Sequence, residues 1–138
     1  MKLSPNAPCP CGSERKLKKC CARFHRGRAA PPLLLMPARY TAYAIGNVDF
    51  LIRTTHPDGP QWNEDRTRWA AELLTYCRST EFVALAVLEH DVDEDKGRAH
   101  VTFRAELRHE GAPAGFTERS LFVREDGRWL YHSGDMNT

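Results

Sequence analysis

The hydrophobic pattern of this chain changes period near residue 80, and that change leaves few folds open. Before it, Tyr40, Tyr43, Ala44, Val48, Leu51 and Ile52 recur at three- and four-residue spacing, as do Trp69, Ala70, Leu73, Leu74 and Cys77. That spacing puts each set on one face of a helix. After it, Val101, Phe103, Ala105 and Leu107 alternate with Thr102, Arg104, Glu106 and Arg108, the period of a strand with one wet face. Turn-forming runs at 93–97, 111–115 and 126–127 separate four strand-like segments, 82–91, 100–109, 116–124 and 128–133. Helices first and a meander after predict an α+β domain, with the helices packed on one face of a curled antiparallel sheet. Within the helical half, Gly46 can end one helix in the left-handed conformation and Asn47 can cap the next. Pro57-Asp58-Gly59-Pro60 stops helix, and Asn63 is the expected N-cap of the helix that carries Trp69 and Cys77.

The first 28 residues obey neither period. They carry Cys9-Pro10-Cys11-Gly12-Ser13 and then Cys20-Cys21, two close pairs of thiols joined by a polar loop. Four soft thiolates in this spacing suit one tetrahedral Zn²⁺. Metal binding would supply folding free energy that so short and polar a segment lacks. A disulfide framework and redox-active or unliganded thiols are the competing readings. The opening Met1-Lys2-Leu3-Ser4-Pro5 has no apolar run of a secretory signal, so a reducing cytoplasmic setting is expected, where thiols stay free or bind metal. A bridge between the adjacent Cys20 and Cys21 would be strained. Four cysteines close the coordination sphere, which makes the zinc structural and leaves His25 unnecessary as a ligand. Gly12 and Ser13 are expected to turn backbone N–H groups toward the thiolates. With only Leu17 and Phe24 as anchors, the segment is expected to be a satellite with few core contacts. Cys77 falls on a helix's apolar face and reads as a small buried hydrophobe.

Charge is unevenly shared. Residues 1–28 hold Lys2, Arg15, Lys16, Lys18, Lys19, Arg23, Arg26 and Arg28 against Glu14 alone, a net +7, while the remainder carries −5. Four thiolates with one Zn²⁺ would bring the first segment to about +5. A basic knob on an acidic body suits an acidic protein surface or the RNA of the ribosome, with Arg15, Lys16, Lys18, Lys19 and Arg23 as contacts; the bland reading is a solvated loop. The longest apolar run, 31–36, falls far short of the roughly 20 residues of a membrane span, so no membrane association is expected. Ala29-Ala30-Pro31-Pro32 marks the break, giving a zinc-binding segment at 1–28, a linker at 29–36 and the body at 37–138. No phosphate loop, dinucleotide fingerprint or nucleophile elbow is present.

The residues Cys9-Pro10-Cys11-Gly12-Ser13 with Lys18-Lys19-Cys20-Cys21 resemble the SEC-C motif, the zinc-binding tail segment named for the SecA translocation motor. In the body, Arg39-Tyr40-Thr41-Ala42-Tyr43-Ala44, residues 49–57, Glu118-Arg119-Ser120 with Phe122, and Gly127-Arg128-Trp129 with Tyr131 resemble the YchJ-like family of bacterial proteins. The resemblance implies a SEC-C segment followed by an NTF2-like fold, a cone of curved antiparallel sheet around helices. It also implies protein or ribosome docking for the SEC-C segment. A proline stands at 37, where the family usually has a basic residue, so the first helix is expected to begin at Pro37.

An NTF2-like cone has a concave mouth. Tyr40, Tyr43, His56, Trp62, Trp69, Arg104, Glu118, Ser120, Trp129 and Tyr131 are candidates to line it, with Tyr43, His56, Trp69, Glu118 and Trp129 the expected ligand-binding set. His56 as a general base oriented by Glu118 would allow lyase or isomerase chemistry on a small apolar substrate. The competing reading is plain aromatic core, with Glu118 in an ion pair to Arg104 or Arg39. The favoured function is therefore a cytoplasmic, zinc-stabilised docking module, with a possible homodimer through the NTF2-like sheet. The alternative is an enzyme or ligand-binding protein that uses the cavity.

Overall fold

The structure, a computed structural model, describes residues 3–136. A 3₁₀ turn (Leu17–Lys19) and a short helix α1 (Cys21–His25) follow the first cysteine pair. Helix α2 (Pro32–Ile45) comes next and begins five residues earlier than the sequence led one to expect. Pro31 is extended (φ −68°, ψ 164°) and Pro32 takes the first helical position, where a missing N–H costs nothing. Pro37 lies inside the helix. The N–H it lacks would have bonded the carbonyl of Leu33, a residue on the exposed side where water can serve instead. Residues 32–36, taken above as linker, are thus the first turns of this helix.

The remaining helix ends follow their local chemistry. Gly46 closes α2 at φ +77°, and the Asn47 side chain accepts the Phe50 N–H at 3.2 Å to cap α3 (Val48–Arg53). Helix α4 (Arg66–Ser79) is capped by Asp65, whose Oδ1 accepts the Arg68 N–H at 3.1 Å. Asn63, the expected cap, instead accepts the Asp65 N–H at 2.9 Å and shapes the approach to the helix.

Strands β1 (Thr80–Asp93), β2 (Arg98–His109), β4 (Phe116–Glu125) and β5 (Arg128–Asp135) form one antiparallel sheet in the order β1-β2-β4-β5. A two-residue strand, β3 (Ala112–Pro113), pairs with β2 in a stretch expected to be turn alone. Register shifts in β1 at Phe82/Ala84 and Val87/Glu89, and in the β4–β5 pair at Leu121/Phe122, bend the sheet. Alternation holds on β2: Ala99, Val101, Phe103, Ala105 and Leu107 are buried against the helices. The end of α3 is stitched to β5 by a parallel bridge, with His56 N–H to Tyr131 O at 2.7 Å and Tyr131 N–H to Thr54 O at 2.8 Å.

One core unites the chain. Cys9, Leu17, Cys20, Cys21 and Phe24 belong to the same buried cluster as Leu35, Met36, Phe50, Leu51 and the inner face of the sheet. The cysteine segment is therefore not a satellite. The physical reason is that the cysteines themselves, together with Leu17 and Phe24, bury apolar surface. Polar ties add to this: His25 bonds the Ala38 carbonyl through Nε2 at 2.8 Å and packs its ring 4.5 Å from Phe50, while Arg53 donates to the His25 carbonyl. By contrast, edge strand β1 leaves Val83, Val87, Leu88 and Val92 exposed. Among the described residues no helix is long and apolar enough to cross a membrane.

Candidate metal centre and adjoining cavity

Three local features bring the four cysteines together. Cys9 N–H bonds Arg15 O at 2.8 Å, closing a loop whose turn uses Gly12 at φ +86°. The 3₁₀ turn then delivers Cys20, and α1 begins at Cys21. One ligand atom from each of Cys9, Cys11, Cys20 and Cys21 lies within 4.8 Å of the others, with Cys11 and Cys20 Sγ at 3.6 Å. That upper bound is somewhat looser than the roughly 4 Å expected of a zinc-filled site. All four are free thiols. Hydroxyls abut two of them: Ser13 Oγ lies 3.1 Å from Cys20 Sγ, and Thr41 Oγ1 of α2 lies 3.6 Å from Cys9 Sγ.

Crowding splits the thiols electrostatically. Cys9 is held well below the ordinary thiol value by hydrogen bonds from the Cys11 and Cys21 side chains, with the Cys11 and Cys21 backbone N–H groups contributing. Cys21 is pushed far up, because the Cys11 and Cys9 sulfurs and then burial oppose a second thiolate. Four soft donors that cannot all ionise alone, yet converge on one point, fit a divalent thiophilic ion that neutralises them. Of the two residues expected to present N–H groups, Ser13 does so toward Cys11, whereas the Gly12 N–H goes to the Cys9 carbonyl at 3.1 Å.

The cations around this site are of two kinds. Arg15, Lys16, Lys18 and Lys19 are exposed, and their side chains have no ion-pair partner among the described residues. Their backbone is nevertheless fixed: Leu17 N–H bonds Ala7 O at 2.8 Å, Lys18 N–H bonds Pro5 O at 3.0 Å, and Lys16 pairs with Pro8 in a β-bridge. Arg23 is different. Its Nε donates to the Cys20 carbonyl at 3.0 Å and its guanidinium lies 5.0 Å from the Phe24 ring centre, so it braces the centre.

Between α2, α4 and the sheet lies a cavity of about 590 Å³. One face of α2 contributes Met36, Arg39, Tyr40 and Tyr43; α4 contributes Trp69, Leu73 and Tyr76; the sheet contributes Phe82, Phe103, Phe116, Glu118, Ser120, Phe122 and Tyr131. Tyr43, Trp69 and Glu118 of the expected ligand-binding set are there. So are Tyr40, Ser120 and Tyr131. His56 and Trp129 are not, nor are Trp62 and Arg104. His56 is buried, accepts the Asp58 N–H on Nδ1 at 3.0 Å and so presents Nε2–H to Glu125 Oε2 at 2.8 Å. It latches the loop after α3 to the far end of the sheet. Trp129 lies under the Arg124 guanidinium, 5.1 Å from its ring centre, and lines a separate cleft with Phe24 and Phe50. The His56–Glu118 pair on which the acid–base reading depended is thus not assembled.

The expected ion pairs of Glu118 are also absent. Arg104 pairs at the surface with Glu106, at 2.8 Å. Glu118 Oε2 accepts from Ser120 Oγ at 2.6 Å and from Tyr131 Oη at 3.3 Å. Gly134 leaves room for that carboxylate, since a Cβ there would collide with it. Arg39 is held by neutral groups, as Nη1 donates to Leu51 O at 3.0 Å, Thr54 Oγ1 at 2.6 Å and Thr55 Oγ1 at 3.3 Å. Burial pushes Tyr43 and Tyr131 up, Tyr40 up to about 12, and Arg39 down, as expected of an interior that solvates charge poorly. Sequence reasoning missed Arg39 as a cavity residue. The signal was present, because Arg39 shares a helix face with Met36, Tyr40 and Tyr43, an odd place for a cation.

Comparison with known proteins agrees with both halves. The profile of the YchJ middle, NTF2-like domain matches residues 31–134, and that of the SEC-C motif matches residues 6–23. A UPF0225 protein of Cupriavidus pinatubonensis is 39% identical over 137 residues, covering 94% of this chain and 88% of the relative. The solution structure of a SEC-C motif containing protein from Rhodopseudomonas palustris superposes with a TM-score of 0.78 at 30% identity, over 96% of this chain and 100% of that one. The crystal structure of a SEC-C motif containing protein from Psychrobacter arcticus shares the fold, with a TM-score of 0.78 at 21% identity over 95% of this chain and 83% of the other. The cysteine segment and the curved-sheet body both match, in order, and this chain belongs to the YchJ-like UPF0225 family, a SEC-C motif joined to an NTF2-like domain.

Proposed function

We propose that this chain is a zinc-stabilised docking module of the bacterial cytoplasm, which meets an acidic protein surface or ribosomal RNA through the ridge of Arg15, Lys16, Lys18 and Lys19. The observation that carries the reading is a contrast. These four side chains have no charge partner among the described residues, while the backbone beneath them is bonded and their segment is packed into the body's core. A cation cluster fixed in place loses little entropy on binding, which favours a specific partner over general stickiness. Cys9, Cys11, Cys20 and Cys21 would hold the Zn²⁺, and four thiolates leave no open position for water or substrate, so the ion would supply cohesion rather than catalysis. Arg23 would act as a brace for the ridge. The exposed Val83, Leu88 and Val92 on edge strand β1 support a homodimer through the sheet as a further part of the same reading.

Affinity capture from lysate at low and high salt tests this, comparing wild type with a Lys16→Glu, Lys18→Glu, Lys19→Glu variant, each with and without ribonuclease. The expected result is a salt-sensitive partner lost by the variant, whose melting temperature matches wild type. Sensitivity to ribonuclease assigns the partner to RNA, and resistance assigns it to protein. An unchanged captured set would mean that the ridge is only solvated surface.

A further inference from the structure

The cavity between α2, α4 and the sheet has walls of one chemistry and a floor of another. The walls are aromatic and aliphatic: Trp69, Leu73, Phe82, Phe103 and Phe116. Into this space faces a guanidinium, Arg39, on a residue only 6% exposed. A buried cation normally has a carboxylate beside it, because leaving water costs far more than neutral dipoles return. Arg39 has none within 4.0 Å among the described residues. Its Nη1 is occupied by three neutral oxygens, and the Tyr131 ring covers one face of the fork at 4.5 Å. Nε and Nη2 make no hydrogen bond to a described carbonyl or carboxylate. Nor are they sealed in, since the sealed and partnerless side-chain atoms among the described residues are only Tyr40 Oη and Thr80 Oγ1. The Tyr43 hydroxyl lies against the fork as a further neutral partner, and the edge away from Nη1 faces the cavity with no carboxylate on it among the described residues.

The other charges lining this space make no direct ion pair with Arg39, and Glu118 acts on it only from a distance. Glu118 is already solvated by the Ser120 and Tyr131 hydroxyls. Glu72 is exposed at the mouth and pairs with Arg68 at 3.5 Å. We infer that the cavity binds a small organic carboxylate with an aromatic or branched aliphatic body, its carboxylate on the free edge of Arg39 and its body against the Phe and Trp walls. A fork with adjacent donors suits a carboxylate bidentately, where a single ammonium would not. The volume, about 590 Å³, is in the ordinary range for small-molecule sites. Glu118, with its two hydroxyl donors, stands ready to accept from a ligand hydroxyl on the sheet side. This inference is independent of the basic ridge and of the cysteine centre.

Three isosteric probes on the wild-type protein decide it without a mutation: naphthalene-2-carboxylate, naphthalene-2-carboxamide and 2-naphthylmethylammonium. Each is titrated at neutral pH, following tryptophan fluorescence and amide and Arg39 Nε–H resonances by NMR. The carboxylate is expected to bind at least about tenfold more tightly than the carboxamide, the difference of one charge-assisted hydrogen-bond pair, and to shift the Arg39 Nε–H signal. An Arg39→Lys variant, which keeps the charge and loses the fork, should lose most of that preference. If it does not fold, the wild-type probe series still decides. Equal binding of carboxylate and carboxamide, tighter binding of the ammonium, or no response to any probe at millimolar concentration would each overturn the inference.

Discussion

Replacing Phe24 by alanine asks whether the cysteine segment and the body melt as one unit. Phe24 is 5% exposed and lies in the same contiguous core as Leu35, Met36, Phe50 and Leu51, with Arg23 stacked on its ring. Truncating a buried phenylalanine costs about 3–5 kcal/mol, from lost transfer energy and the cavity left behind. Against a total of about 5–15 kcal/mol for a single domain, that is a large share. For a chain of this size each kcal/mol moves the midpoint by roughly 3–4 °C, so Phe24→Ala should lower it by about 10 °C or more. Urea unfolding followed by tryptophan fluorescence is the assay of choice, because Trp62, Trp69 and Trp129 all lie in the body. Zinc is kept in excess throughout, so that metal loss is not read as packing loss. A body transition that keeps its midpoint in the variant would show that the segment unfolds locally and that the shared core is not energetically shared.

Other consequences can be checked separately. Burial, chiefly, holds the His25 imidazole below its ordinary value of 6.5, so the native state binds fewer protons than the unfolded chain. Stability from this residue is complete above about pH 6.5 and is lost as pH falls toward the lowered value; His25→Gln should give a shallower pH dependence in urea titrations between about pH 7.5 and 5.5, and an identical slope would refute the assignment. Cys77 is buried and its thiol is pushed up to about 11 by burial, so iodoacetamide should spare it in the folded protein and alkylate it once urea unfolds the chain, as read by peptide mass mapping; alkylation in the folded state would refute the assignment. Gly134→Ala should displace the Glu118 carboxylate and cost about 1–3 kcal/mol by thermal melting; an undisturbed midpoint would mean that the carboxylate moves freely.

Much of the fold was legible because its signals are local. The alternation on β2, the left-handed Gly46, the Asn47 cap and the Asp126–Gly127 turn each act over a few residues, and all are found in place. The cysteine quartet was legible because thiolate spacing is itself the chemistry. What failed depended on tertiary partners. The helix was expected to start at Pro37, and the burial of Leu35 and Met36 against the body carries it back to Pro32. The segment looked like a satellite because Leu17 and Phe24 were counted as its only anchors, whereas Cys9, Cys20 and Cys21 are buried too. His56 was assigned to the cavity on residue type alone. Its place is fixed by the Asp58 N–H and Glu125, a contact across 69 residues that no local pattern encodes. Arg39 and Glu118 were paired on charge, while the fold gives each of them hydroxyl partners instead.

The account rests on a metal organising the segment from which the docking ridge projects. Elemental analysis of protein purified without chelator measures this directly. About one zinc per chain is expected, falling to none in a Cys11→Ser, Cys20→Ser variant whose segment loses its native NMR shifts. Metal-free wild-type protein in which residues 9–21 remain folded would contradict it.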